Sequence, residues 1–179
     1  MFDLIVLSLL LDGPKHGYQL KREAGFIFGH GDMHNNLIYP LLRRFTGDGW
    51  VKKNAVPGDR GQTRQQYALT PKGHRELLRQ LTEFTAQDAR SQEGFVARVG
   101  MFAMIGPAAR TAILEQRTAY LRQRETKLAR LTDNFKVESY GEVVIAFLKK
   151  QIRSELAWIE RLRRTTPRRN PSSRARAKT

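Results

Sequence analysis

The 179-residue chain contains no cysteine. This excludes a disulfide framework, a thiolate metal site and a catalytic thiol, and it suits a reducing cytoplasm. Membrane-spanning runs are lacking as well. The apolar opening, Ile5 to Leu11, follows Asp3 without a basic start and is far too short to cross a bilayer. Catalytic signatures are equally scarce: there is no Gly-rich phosphate loop with a lysine, no nucleophile elbow and no paired-carboxylate motif. His16, His30, His34 and His74 lack the spacing and carboxylate neighbours of a helical metal site, and His30, Asp32 and His34 read as an incidental loop grouping. The expectation is a soluble cytoplasmic protein with no catalytic residue, metal or cofactor.

Acidic residues are few beside basic ones, 17 against 32, which leaves a net charge of +15 and points to a polyanionic partner. The excess is general: residues 1–90 carry 13 basic and 9 acidic side chains, 91–164 carry 14 and 8, and the last fifteen carry 5 and none. It concentrates between Arg43 and Arg79, where nine basic residues face only Asp48, Asp59 and Glu76. A length of 179 residues suits one ordinary domain or two small ones with a real core.

Along the chain, Phe2 to Leu11 reads as a buried helix stopped by Gly13-Pro14, and His16 to about Phe28 as an amphipathic helix with Lys21 and Arg22 outward. A third helix, 34–46, sets Ile38, Leu41, Leu42 and Phe45 at i, i+3, i+4 and i+7, one buried stripe. Opposite stand Asn35, Asn36, Tyr39 and Arg43, side chains able to read base edges or hold phosphates. Pro40 requires this helix to start late or kink. Gly47-Asp48-Gly49 ends it. Residues 50–53 and 65–69 read as short strands joined by the basic loop 54–64, with Arg60, Thr63 and Arg64 near its tip. Thr70-Pro71 signals an N-cap and first turn of a helix running towards Arg90.

From Ser91 the pattern is helical. Leu114, Leu121 and Leu128 recur at sevenfold spacing in a helix from Ala108 to Phe135. A last helix, from about Glu142 to Arg164, repeats a seam through Val144, Leu148, Ile152, Glu155, Leu156, Ile159 and Leu162. Two such stripes need each other and a second copy of the chain. The fold class expected is mainly α (α+β): a winged helix-turn-helix domain at 1–90, a helical dimerisation domain at 91–164, and a disordered basic tail at 165–179.

Four spaced segments resemble the PadR family of bacterial transcriptional regulators: His16-Gly17-Tyr18, Leu37-Ile38-Tyr39-Pro40-Leu41-Leu42-Arg43-Arg44, Gly49-Trp50-Val51, and Arg64 to Gly73. The resemblance covers about residues 2 to 79, and the C-terminal helices with Trp158 look like those of the longer members. It implies a winged-helix DNA-binding domain, a homodimer made by the C-terminal helices, and repression relieved by a ligand or another signal. Many relatives carry Gly-Thr or Gly-Ser where this chain has Asn35-Asn36, and acidic residues where it has Phe45-Thr46-Gly47-Asp48. The operator sequence is therefore not transferable.

The DNA-binding set expected is His16, Tyr18, Asn35, Asn36, Tyr39, Arg43, Arg60, Thr63 and Arg64. Arg43, Arg60, Arg64 and Tyr39 would hold phosphates or sugars, and Asn35 and Asn36 would read bases. Each has a plainer alternative: a solvated helix face, a flexible charged loop, or, for Tyr18, a tie between two helices. Met101 (or Met104), Phe102, Phe147 and Trp158 either line a pocket for a planar apolar effector, as relatives suggest, or pack the core and the dimer seam. The competing reading of the whole is a protein-interaction adaptor that keeps the winged helix as a scaffold and binds any duplex without preference. An RNA module would need exposed aromatics at the hairpin, which offers only the inward Tyr67.

Overall fold

A computed structural model describes residues 2–27, 33–57, 63–134 and 139–165. The chain divides into two compact units, Met1–Ile105 and Gly106–Thr179.

The first unit opens with α1 (Phe2–Leu9), in which the consecutive residues Leu4, Ile5, Val6 and Leu7 are all buried. A helix buried all round must be enclosed by its neighbours, here α2 (Gly17–Ile27) and α4 (Pro71–Thr82). Gly13, at a φ of 121°, makes the turn between α1 and β1 (Lys15–His16). Next comes α3 (Asn35–Gly47), which buries Ile38, Leu42 and Phe45, while Leu41 is only half-covered. The helix begins five residues before Pro40, so the proline lies inside it and does not set its start. Gly49, at a φ of 70°, terminates it as expected: the Asp48 amide donates to the Arg44 carbonyl at 2.8 Å and the Trp50 amide to the Phe45 carbonyl at 2.8 Å.

Strands β2 (Val51–Pro57) and β3 (Thr63–Leu69) form the hairpin, and the sheet order is β1-β3-β2, antiparallel throughout. Both strands are longer than the expected 50–53 and 65–69. Val56 pairs with Arg64 and Pro57 with Thr63, so these two site residues sit on a strand and not in the loop. The outer rungs are exposed, so backbone pairing sustains them without the apolar alternation that marks a strand in sequence. Strand β1 is an addition to the expected elements: Lys15 pairs with Tyr67 and His16 with Gln66, partners about fifty residues away.

Helix α4 starts where Thr70-Pro71 predicts. Thr70 Oγ1 accepts from the Gly73 amide at 3.0 Å and donates to the carbonyls of Gly49 and Trp50. Gly73 is required there, because a Cβ on it would fall 2.0 Å from the Trp50 carbonyl oxygen. The helix ends at Thr82 and does not continue towards Arg90. Phe84 instead turns in to meet Phe95 at a ring-centroid distance of 6.3 Å, and Asp88–Arg90 form a 3-10 turn. Helix α5 (Gln92–Gly100) follows, with a 3-10 turn at Phe102–Met104. The compact unit thus extends to Ile105, past the boundary expected at 90, because Phe95 and Arg98 are buried against Phe84 and Asp88.

The second unit is a hairpin of α6 (Pro107–Asn134) and α7 (Ser139–Arg164). Ile113, Leu114, Thr118, Leu121 and Leu128 of α6 are buried, as are Ile152 and Ile159 of α7, so the sevenfold stripe is the seam. Among the described residues, no helix is long and apolar enough to cross a membrane. The expected basic tail after Thr165, and Arg60, His30 and Asp32, lie outside the described residues.

Candidate nucleic-acid interface

The apolar stripe of α3 turns inward and leaves Asn35, Asn36, Tyr39 and Arg43 exposed together, the face expected from their spacing. Arg44, next in the chain, is committed elsewhere: its Nη2 donates to Asp3 Oδ2 at 2.5 Å, tying α3 to α1. Arg43 has no ion pair among the described residues.

Tyr39 is placed by what surrounds it. The first residue of α2 is Gly17, and a Cβ built there would stand 3.0 Å from Tyr39 Cε1 and 3.5 Å from Tyr67 Cε2. The missing side chain therefore lets both tyrosine rings close on the start of α2. The same helix start is held to the sheet: the His16 ring nitrogen Nδ1 stands 3.0 Å from the Gln65 carbonyl, a bond it makes as donor, and the His16 amide donates to Gln19 Oε1 at 2.9 Å. The second bond is the reciprocal arm of a capping box.

Tyr67 lies at the centre of the sheet, opposite Lys15 on one side and Lys53 on the other. Residues directly opposite in antiparallel strands share a face, so the tyrosine is flanked by two ammonium groups. Lys15 is paired with Glu23 at 2.6 Å, and Lys53 has no ion pair among the described residues. Burial pushes the Tyr67 phenol above its ordinary value, and Tyr39 beside it adds to the shift. The Tyr67 phenol thus stays protonated near neutral pH, able to donate to an anionic oxygen.

These elements enclose a cleft of about 730 Å³ lined by His16, Gly17, Tyr18, Gln19, Tyr39, Lys53, Arg64, Gln65 and Tyr67. A smaller one, about 370 Å³, lies beside it between α3 and the sheet, lined by Tyr39, Leu42, Arg43, Thr46, Lys53 and Tyr67. His16, Tyr18, Tyr39, Arg43 and Arg64 are therefore brought together from four elements, β1, α2, α3 and β3. Asn35, Asn36 and Thr63 are exposed but line neither cleft. Lys53, Gln19, Gln65 and Tyr67 join the site without having been expected in it. The hairpin register was the missing signal, since it alone sets Lys53 opposite Tyr67.

Met101 and Phe102 are half-buried at the end of the first unit, while on α7 Phe147 is exposed and Trp158 half-buried. Among the described residues no three of His, Cys, Asp and Glu gather as a metal site would require.

Three helices, a hairpin and a following helix, with a short third strand completing the sheet, define a winged helix-turn-helix. Residues 6–79, from within α1 to within α4, match the transcriptional regulator PadR-like family. Among solved structures, Bacillus subtilis PadR in complex with operator DNA is 19% identical with a TM-score of 0.45, the match covering 90% of this chain and 96% of that one. A PadR family transcriptional regulator from Eggerthella lenta is 31% identical with a TM-score of 0.37, over 43% of this chain and 65% of that one. A transcriptional regulator from Clostridium thermocellum is 24% identical with a TM-score of 0.39, over 44% and 76%. No curated protein sequence matches the chain.

Proposed function

We propose that this protein is a sequence-specific DNA-binding regulator of transcription, a homodimer that represses from a pseudo-palindromic operator by placing α3 of each subunit in the major groove. The observation that carries the reading is the convergence of the α2 start, the exposed face of α3 and the hairpin on one concave basic surface, within a segment that matches a family of transcriptional regulators. Tyr39, Lys53, Arg43 and Arg64 hold phosphates and set the register of the duplex, and Asn35 and Asn36 at the head of α3 read base edges. Arg60 and Thr63 contact the backbone or the minor groove.

Dimerisation is supported by the second unit. Tyr140, Val143, Val144 and Phe147 of α7 and Leu131 of α6 are between 44% and 85% exposed, an apolar patch that a second copy would cover. Half-sites then lie about 34–36 Å apart, one helical turn of DNA. Relief of repression by a planar apolar ligand completes the reading, and a panel of aromatic compounds that leaves both the thermal midpoint and operator affinity unchanged removes that part. The test of the whole is selection of bound duplexes from a random pool at near-physiological salt. An inverted repeat is the expected product, and a flat pool leaves only the scaffold of an interaction adaptor.

A further inference from the structure

The helical unit carries a second basic surface that has no part in the winged helix. On α7, Lys150, Arg153, Ala157, Arg161 and Arg164 succeed one another at intervals of 3, 4, 4 and 3 residues, the spacing that aligns one face of a helix. All five are exposed. At ~1.5 Å per residue the stripe runs for about 20 Å. Of the acidic residues near it, Glu155 is paired with buried Arg117 and Glu160 with Arg163 at 2.8 Å, both off the stripe, while Glu125 of α6 pairs with the stripe's own Arg153 at 2.9 Å. Lys150, Arg161 and Arg164 have no ion pair among the described residues. Alongside Lys150 and Arg153, Ala146, Ser154 and Ala157 line a shallow groove of about 500 Å³, with no bulky side chain to hold a partner's backbone away. Beyond Thr165 the sequence adds five more basic residues and no acidic one.

We propose that this face of α7 is a sequence-independent contact for the phosphate backbone of duplex DNA, separate from the winged-helix surface. A second copy does not fit the stripe, because matching faces would set like charges against each other. A membrane surface does not fit it either, because between Lys150 and Arg164 the apolar Ile152 and Ile159 are buried against α6 and the basic face itself offers only Ser154 and Ala157 to insert, the exposed Val143, Val144 and Phe147 lying N-terminal to it. A duplex presents one negative charge per about 1.7 Å of its axis, so Lys150, Arg161 and Arg164, which have no ion pair among the described residues, can each meet a phosphate. The inference stands independently of any operator preference.

The test uses the full chain and a duplex without operator sequence. Affinity is measured against salt for the parent protein and for Lys150→Gln/Arg161→Gln/Arg164→Gln, with thermal melting as the check on folding. The expected result is an unchanged midpoint and a log–log salt slope shallower by about 2 to 3, since each phosphate that the variant no longer neutralises removes roughly 0.9 from the slope. An unchanged slope overturns the proposal. So does a fall in binding to polyglutamate as large as the fall in binding to duplex, which would assign the face to an acidic protein. If the triple variant melts early, the conservative Lys150→Arg/Arg161→Lys/Arg164→Lys variant is compared, and a slope that differs from the parent's overturns the proposal. A flat selection pool with a shallower variant slope removes the operator reading alone, whereas a selected repeat with an unchanged slope removes this inference alone.

Discussion

Arg117 of α6, almost wholly buried, donates through Nε and Nη2 to the two carboxylate oxygens of Glu155 on α7, at 2.7 and 2.9 Å. The pair sits in a seam that Ile113, Leu114, Leu121, Leu128, Ile152 and Ile159 make mainly apolar. Thr118 Oγ1, one residue on, receives Arg163 Nη2 at 3.3 Å and itself donates to the Leu114 carbonyl at 2.7 Å. Such a pair contributes little net stability against a well-packed apolar replacement, but it penalises any sliding of α6 along α7 that would bury one charge alone.

Glu155→Ala is therefore expected to cost about 3–5 kcal/mol in chemical unfolding, because Arg117 is left buried without its counter-charge. The double variant Arg117→Met/Glu155→Leu recovers most of that loss. A double variant no better than the single one would mean that the pair is not the source of the cost.

Asp88 predicts an acid limb. Burial disfavours its charge, but the Thr85 hydroxyl and amide, at 2.7 and 2.9 Å, and the guanidinium of Arg98 outweigh burial and hold its carboxyl below the ordinary carboxylate value. A folded-state value below the unfolded one adds stability above the ordinary carboxylate range, and that stability is lost as pH falls through the depressed value. Asp88→Asn is expected to be less stable than the parent near neutral pH, with the gap narrowing below about pH 4. Urea midpoints across that range check it, and a gap constant in pH would count against the account.

Gly17→Ala separates folding from binding. Its φ is not in the left-handed region, and alanine is the better helix former, so the thermal midpoint should hold or rise slightly. The new methyl meets Tyr39 Cε1 at 3.0 Å and displaces the ring by a few tenths of an ångström. Affinity for every duplex should then fall together. Unchanged affinity would show that Tyr39 is not positioned for contact by this packing.

Asn36→Ala and Arg64→Ala are expected to differ in kind. The first should flatten the preference among operator variants, by about 1–3 kcal/mol at the affected base. The second should weaken all duplexes and lower the salt slope by about 1. Identical behaviour of the two would end the division between reading and positioning.

Much of this molecule was legible in its residues because the signals are local. Ile38, Leu42 and Phe45 fall on one side of α3 by helical spacing alone, and Asn35, Asn36, Tyr39 and Arg43 on the other. Thr70-Pro71 and Gly49 mark a helix start and a helix end because each acts on the backbone beside it. The same local signal at the start of α4 could not place its end, because Phe84 leaves the helix to meet Phe95, eleven residues on.

The sequence by itself determined the order of the main helices and of the hairpin, the inward and outward faces of the helices and the excess of positive charge, since these depend on propensity, periodicity and composition. Only the tertiary structure decided that β1 joins the sheet, that Lys53 stands opposite Tyr67, that Gly17 makes room for Tyr39, and that Arg117 is buried against Glu155. Each of these is a pairing between residues far apart in the chain. Their proximity follows from register and packing, which no short window of sequence encodes.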